Sequence, residues 1–282
     1  MIIKQPKENK SRLAKKLGVS RDMLYYRHKR GVVDEEDEEI KDKILKVLKT
    51  HKAYGHKRIA MNLKLNKKRI LRVMKKYGIK PYRRRKTPRK LLDEGKQPTR
   101  FINLIEGLCP IKPNVVWVGD FTWIYFNGVF YYLATVMDIF TREIIGWSFS
   151  SCHNTQLVIE AYVDAVKKTG KTPVYFHCDQ GSEYDANEYI RLMQTHQIIL
   201  SMSRKSHPWE NGFQESFYSN FKLELGDPER FIDLGELVEA IAQTIYYYNH
   251  DRIHTSLKMS PIQFKEKSVI LNREYLFKEL GT

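Results

Sequence analysis

Two rhythms divide the chain. Up to about residue 80, apolar residues return every three or four positions, the spacing of a helix face; from Val115 they come in short β-branched and aromatic runs, the mark of strands. In residues 11–30, Leu13, Ala14 and Leu17 share one helical stripe. Gly18 breaks it, and Ser20 is an N-cap for a second helix containing Met23 and Leu24. This is a helix-turn-helix pattern, whose second helix offers Arg21, Tyr25, Arg27 and Lys29 to a groove or a phosphate row; a helical hairpin with a solvated basic face fits the same residues. The acidic run Asp34 to Glu39 opens another helix, with Ile40, Ile44, Leu45 and Leu48 as its apolar stripe and lysines toward its end, a charge order that suits the helix dipole. After Tyr54-Gly55 come a helix around Ile59 and Leu63, a turn near Asn66 and a helix from Lys67 to Tyr77 stopped by Gly78. Outside its Ile70, Val73 and Met74 positions that last helix carries Lys68, Arg69, Arg72, Lys75 and Lys76, a second candidate recognition helix.

Residues 81–110 begin without a sustained period and hold Arg83, Arg84, Arg85 and Lys86, so they read as a basic linker able to track a phosphate backbone. Beyond it, VVWVGDFTWIYF, GVFYYLATVMDIF and EIIGWSFS predict three strands joined by hairpins at Asn127-Gly128 and Thr141-Arg142. A helix over 155–169, a strand over 174–178, a helix over 185–197, a strand over 198–202 and helices over 211–225 and 234–249 follow. That order, βββαβαβα, predicts an α/β fold, a ribonuclease-H-like mixed sheet with helices on both faces, preceded by all-α helix-turn-helix DNA-binding segments. The expected boundaries are 1–32 and 33–80 for the two helical segments, 81–110 for the linker, 111–265 for the catalytic core and 266–282 for a C-terminal tail.

Charge sharpens this division. The formal net charge is +16, yet residues 1–90 hold 31 Lys and Arg against 9 Asp and Glu, so the cation belongs to the N-terminal third and the remainder is mildly acidic. A polyanionic partner is expected there. No stretch approaches the roughly 18 apolar residues of a membrane span, and no apolar segment follows Met1 to Lys10, so an intracellular chain without a membrane partner is expected. Cys109, Cys152 and Cys178 lie too far apart for a zinc pair, and His51 and His56 have no cysteine upstream of Cys109.

The candidate chemistry lies in three acids. Asp120 falls inside the first strand, Asp179 directly after the fourth, and Glu215 one turn into a helix, 35 residues separating the last two. A lone Asp at a strand end is often a turn or cap residue. In a mixed sheet of this order, however, the middle of strand one and the end of strand four come side by side, and a returning helix can add the third carboxylate. Three such oxygen donors repel one another without a cation, and Mg²⁺ prefers carboxylate and phosphate oxygens.

The contexts VWVGDFTWI, HCDQGSEY and SRKSHPWENGFQESFYSNFKLEL, with YYNHDRIHTSLKMSPIQF further on, resemble the DDE transposases of the insertion-sequence-three group, whose second open reading frame encodes a catalytic core of retroviral-integrase type. The resemblance covers almost the whole chain. It implies a polynucleotidyl transferase in which Asp120, Asp179 and Glu215 hold two Mg²⁺ ions, with Mn²⁺ able to substitute. Water attack would free a 3′-hydroxyl at an element end, and that hydroxyl would then attack a second phosphodiester, without ATP or a covalent protein intermediate. It implies as partners the terminal inverted repeats and target DNA, a homo-oligomer of at least two protomers, an upstream-frame partner or fusion, and a bacterial cytoplasmic, nucleoid-associated location. Lys222 matches a cation that the group places seven residues after the catalytic Glu, and Asn211, Glu215, Tyr218 and Lys222 share one helical stripe, so Asn211 and Tyr218 are expected to join Lys222 on DNA. Phe213, Phe217 and Phe221 are expected to face the core. Unlike retroviral integrases, the chain offers no His-His-Cys-Cys zinc module.

Other residues weigh less. Asp138 is expected to order the turn before Arg142, and Gln180 to Glu183 form a tight loop that either contacts DNA or closes on its own backbone. Trp209, after His207 and Pro208, suits either base stacking or packing, and Asn249, His250, Arg252 and His254 suit packing near the site. A non-catalytic DNA-binding regulator and a ribonuclease-H-like nuclease are the alternative functions.

Overall fold

The computed structural model describes residues 10–83, 100–204 and 211–280. By contact density the chain forms two units, Met1–Tyr82 and Arg83–Thr282.

The N-terminal unit is helical: α1 (Lys10–Lys16), α2 (Arg21–Thr50), α3 (His56–Leu63) and α4 (Lys67–Lys76). Its core is built from Ile40, Ile44 and Val47 of α2, Tyr54, Ile59 and Ala60, and Ile70, Val73 and Met74 of α4. The α2 stripe is thus rotated from the expected one, with Val47 inside and Leu45 exposed. Asn66 caps α4 by accepting from the Lys68 N–H, and Gly78 ends the helical segment at a positive φ of 64°. A boundary was expected between residues 32 and 33, and the structure corrects it: α2 runs unbroken through that point. The segment contains no proline, and one glycine costs a helix only about 1 kcal/mol. Between α2 and α4, the buried Asp37 accepts from the two terminal nitrogens of the Arg72 guanidinium, Nη1 and Nη2, each at 2.6 Å, and from Lys76 at 3.2 Å. Burial opposes the Asp37 charge, but these cations prevail and hold its carboxyl below the ordinary range.

The second unit contains one five-stranded sheet among the described residues, with β1 (Val116–Phe126), β2 (Val129–Asp138), β3 (Ile144–Ser150), β4 (Tyr175–Cys178) and β5 (Ile199–Met202). The spatial order is β3-β2-β1-β4-β5; β1, β2 and β3 are antiparallel, while β4 and β5 run parallel to β1 and to each other. Helices α5 (Thr155–Thr169) and α6 (Asn187–Thr195) cover one face, where Trp117, Val136, Tyr162, Phe176, Tyr189 and Met193 pack together. Helices α7 (Gly212–Leu225) and α8 (Leu234–His250) cover the other, around Leu133, Met137, Phe217, Phe221 and Ile241. Gly146 lets α5 cross β3 closely, since a Cβ there would lie 2.4 Å from the Ala161 carbonyl oxygen.

Two boundaries of this unit also differ from expectation. Part of the expected linker is seated on the core: the Ile102 carbonyl accepts from Met202, and the Leu104 N–H donates to Ser201. The expected tail is the continuation of a helix, α9 (Pro261–Leu280), which passes residue 265 without a break.

Candidate catalytic site

The parallel pairing of β1 with β4 sets the first two carboxylates. Its last rung joins Val118 to His177, and Asp120 and Asp179 each stand two residues further along. Because side chains alternate along a strand, equal offsets from one rung bring the two acids to the same level and the same face. Pairing of β1 with β4 ends at this rung, whereas β2 pairs with β1 from Trp117 to Phe126. Asp120 accepts from the Phe121 N–H at 2.8 Å, and Asp179 from the Gly181 N–H at 3.0 Å. Gly181 leaves room here: a Cβ would lie 3.0 Å from a carboxylate oxygen of Asp179 and 2.8 Å from one of Glu183.

Glu215 comes from the first turn of α7, which is bound to the strands by two hooks. The fully buried Gln214 donates to the Val118 carbonyl at 2.6 Å and to the Thr135 carbonyl at 3.3 Å, and accepts from the Thr135 hydroxyl at 3.2 Å. One turn later, the Tyr218 hydroxyl donates to the main-chain oxygen of Asp120 at 2.7 Å and lies 2.8 Å from the Thr135 hydroxyl. Burial, then the Asp120 charge, push the Tyr218 phenol well above its usual range, so it stays protonated and able to donate. Phe217, Phe221 and Leu225 anchor the same helix in the core.

The electrostatics are those of crowded acids. Burial, the Asp179 charge and the Glu215 charge push the Asp120 carboxyl up to about 8, against the opposing Phe121 N–H. The Asp179 carboxyl is also raised, by burial and then by Glu183, with the Gly181 N–H and His153 working the other way. Glu183 is buried and accepts from the Ser182 hydroxyl, while His153 lies 3.1 Å from it. Among the described residues no three His, Cys, Asp or Glu side chains close into a metal cage. The donor set nonetheless suits a divalent cation: two fixed aspartates, a third acid within electrostatic reach, and a glycine that leaves space beside Asp179.

Several expectations are corrected. Tyr218 was expected on DNA and is buried under Asp120 instead, because its ring fills the space between α7 and the sheet and its hydroxyl finds the strand carbonyls. Asn211, also expected on DNA, is buried at the N-cap of α7. Phe213, expected in the core, is 40% exposed and carries the Arg142 guanidinium 3.7 Å above its ring. Gln214 was missed altogether; its position four residues before Tyr218, on the same helical row, was the available signal.

The remaining candidates spread over both units. The Lys222 ammonium sits 4.6 Å from the centre of the Trp123 ring. Arg69 pairs with Glu36 at 2.5 Å and Arg72 with Asp37, so neither guanidinium of α4 is uncommitted, whereas Lys68, Arg21 and Arg83 are exposed. Arg84, Arg85, His207, Pro208 and Trp209 lie outside the described residues. Asp138 accepts from the Thr141 N–H and hydroxyl and from the Asn114 N–H, while its carbonyl accepts from the Arg142 N–H, which orders the β2–β3 turn. Gln180 donates to the Ser203 carbonyl, Asn249 exchanges two hydrogen bonds with the Ile144 backbone, and the buried Arg252 bonds Asn220.

The integrase core domain, as a family, matches residues 110–208 and again 196–261. The transposase of insertion sequence element IS904 of Lactococcus lactis is 34% identical over 241 residues, covering 82% of this chain and 95% of that protein. The transposase InsF of insertion sequence IS3A of Escherichia coli is 32% identical over 164 residues, 56% of each chain. In structure, a chain of the simian T-cell lymphotropic virus intasome, solved by cryo-electron microscopy with the PP2A regulatory subunit B56 gamma, superposes with a TM-score of 0.50 at 17% identity. The match covers 79% of this chain and 74% of that one, and it shows the ribonuclease-H-like fold.

Proposed function

The chain belongs to the insertion-sequence transposases built on an integrase core, and from that premise we propose that Asp120, Asp179 and Glu215 are the carboxylates with which it cuts an element end and joins it to a second DNA strand. The observation that carries this assignment is the equal offset of Asp120 and Asp179 from the last β1–β4 rung, with the charge of Glu215 acting on Asp120. The integrase-core family depends on divalent metal, and we assign two Mg²⁺ ions, replaceable by Mn²⁺, to these three side chains. When bound, the ions supply Lewis acidity to the attacking and leaving oxygens of an in-line displacement at phosphorus.

The chain's own residues do the positioning. Asp120 and Asp179 are fixed from β1 and β4, and Gln214 and Tyr218 set the helix that presents Glu215 to them. Lys222 is assigned to the DNA end near the scissile phosphate, seven residues along α7 from Glu215, where its charge attracts the strand. The family acts on DNA and oligomerises; for this chain we assign the terminal inverted repeats and target DNA as ligands and a dimer or larger assembly as the working form. Reading of the ends falls to the basic N-terminal unit, through the exposed Arg21 and Lys68, with Arg83, Arg84 and Arg85 following. No described helix is long and apolar enough to cross a membrane.

Oligonucleotide duplexes carrying the inverted repeats that flank the gene test the assignment. Cleavage and joining in Mg²⁺ are expected from the native chain, and Asp120→Asn, Asp179→Asn and Glu215→Gln are expected to lose both while still binding the ends. Cleavage that persists in the three variants overturns it.

A further inference from the structure

The face of the β1–β2 hairpin opposite the Asp120 side chain is aromatic out to the hairpin tip, and among the described residues it is exposed there. Cross-strand register puts Trp123 opposite Tyr132 and Tyr125 opposite Phe130, so these four rings share one face. Near the tip, Phe130 lies 5.6 Å from Trp123 and 5.0 Å from Tyr125, both at steep angles. Toward the site, Tyr132 stacks on His153 at 4.8 Å, and His153 meets Phe121, the neighbour of Asp120, at 4.5 Å. Trp123, Phe130 and Tyr125 are 53%, 50% and 43% exposed and in ring contact with one another, and a contiguous exposed apolar patch marks a binding surface.

We propose that this face is a stacking platform for unpaired bases of the DNA strand that leaves the scissile phosphate, a single-strand binding site that begins at Phe121, the strand neighbour of Asp120. Its location rests on the assignment of Asp120, Asp179 and Glu215 given above. Three features select single-stranded DNA over a second copy of the chain. The patch is made of rings, which present flat faces to bases of any sequence. A cation is set into it, since Lys222, on the helix of Glu215, places its ammonium over the Trp123 ring, where it can meet a phosphate as the base stacks. The patch also starts beside the site: Phe121, next to Asp120 in the strand but on the opposite face, leads the row Phe121, Trp123, Tyr125, which advances about 13 Å.

The platform is preorganised. Pairing of β1 with β2 is unbroken from Trp117–Asp138 to Phe126–Val129, and the tip turns through Asn127 and Gly128 at positive φ of 47° and 80°. The Asn127 N–H donates to Glu229 at 3.1 Å, which ties the tip to the turn Pro228–Arg230. A base that stacks here does not have to order the hairpin first.

The test measures affinity of the full-length chain for a fluorescent oligothymidylate and for a duplex of equal length, in EDTA, so that it does not depend on cleavage. Trp123→Ala and Phe130→Ala are each expected to weaken the single strand roughly tenfold, with duplex affinity unchanged and Trp123→Tyr close to the native chain. Equal losses on both DNAs, no loss on either, or lost self-association in sedimentation with both affinities intact each overturn the proposal. Should an alanine variant fail to fold, photocrosslinking of the native chain to an oligonucleotide carrying 5-iododeoxyuridine decides. Adducts on residues 123–130 support the platform, and adducts confined elsewhere overturn it. Failure of the catalytic assignment appears separately, as cleavage by Asp120→Asn.

Discussion

The Tyr218 hydroxyl donates to the main-chain oxygen of Asp120, so the helix that presents Glu215 is bonded to the residue that supplies the first carboxylate. Together with Gln214, which grips the Val118 carbonyl two residues earlier on β1, it converts the packing of α7 into a fixed relation between two acids from distant parts of the chain.

Tyr218→Phe is therefore expected to cost about 1–2 kcal/mol of stability, because the Asp120 carbonyl and the Thr135 hydroxyl lose a buried partner. Its cleavage rate should fall by roughly ten- to a hundredfold, the scale of a small misplacement of a catalytic group. Gln214→Ala should act in the same direction and cost more stability, since it leaves more buried groups unpaired. Stopped-time cleavage assays at saturating DNA separate this from weaker binding; an unchanged rate with lowered stability would mean that the hooks only hold the fold together.

The crowding of acids predicts a pH signature in the metal-free protein. The native pKa of Asp120 is raised to about 8, so the stability associated with this group is full below the unfolded value near 3.9 and is lost as pH rises through about 8. Asp120→Asn in EDTA should melt above the native chain, by a margin that widens from about pH 5 to about pH 9. Thermal melts across that range check it, and a margin that narrows with rising pH would contradict the assigned repulsion.

In the N-terminal unit the sign is opposite. Asp37 is held below its ordinary range, so its pairing with Arg72 and Lys76 stabilises above about pH 3.9 and fades as pH falls through the lower native value. Arg72→Met, which leaves the carboxylate with Lys76 alone, should cost about 1 kcal/mol near neutral pH, because the half-exposed guanidinium is screened by water, and the difference from the native chain should shrink in acid. Hydrogen exchange of α2 and α4 amides locates the loss. Retained protection in the variant would show that Arg72 is free to serve DNA.

Much of this arrangement was legible before the structure. The switch from helical to strand periodicity marked the sheet order, and the runs around Asp120 and Asp179 placed both acids at strand positions that a mixed sheet brings together. The phase of α7 was not legible. Phe213, Phe217 and Phe221 share a row with apolar side chains, and spacing alone does not say which end of that row leaves the core; Arg142 takes Phe213 at the exposed end. Nor does polarity mark Gln214 and Tyr218 as interior, since their burial depends on strand carbonyls that only the tertiary fold supplies. The continuity of α2 escaped for a related reason: the acidic run Asp34 to Glu39 suits the start of a helix as well as the middle of one, and it was read as a start.

Lys222 offers a narrower check. If it contacts a phosphate of the element end, Lys222→Gln should weaken end binding and lower the slope of log affinity against log salt by about 1, with Lys222→Arg near the native value. Fluorescence anisotropy across a salt series reads both, and an unchanged slope would remove Lys222 from the DNA.

The central claim is that Asp120, Asp179 and Glu215 are ligands of one metal site, and replacing each by cysteine tests it most directly. Sulfur is a poor donor for Mg²⁺ and a better one for softer ions, Mn²⁺ among them. End cleavage by Asp120→Cys, Asp179→Cys and Glu215→Cys should be lost in Mg²⁺ and recovered in part in Mn²⁺, whereas cleavage at the native rate in Mg²⁺ by any of the three would contradict the account.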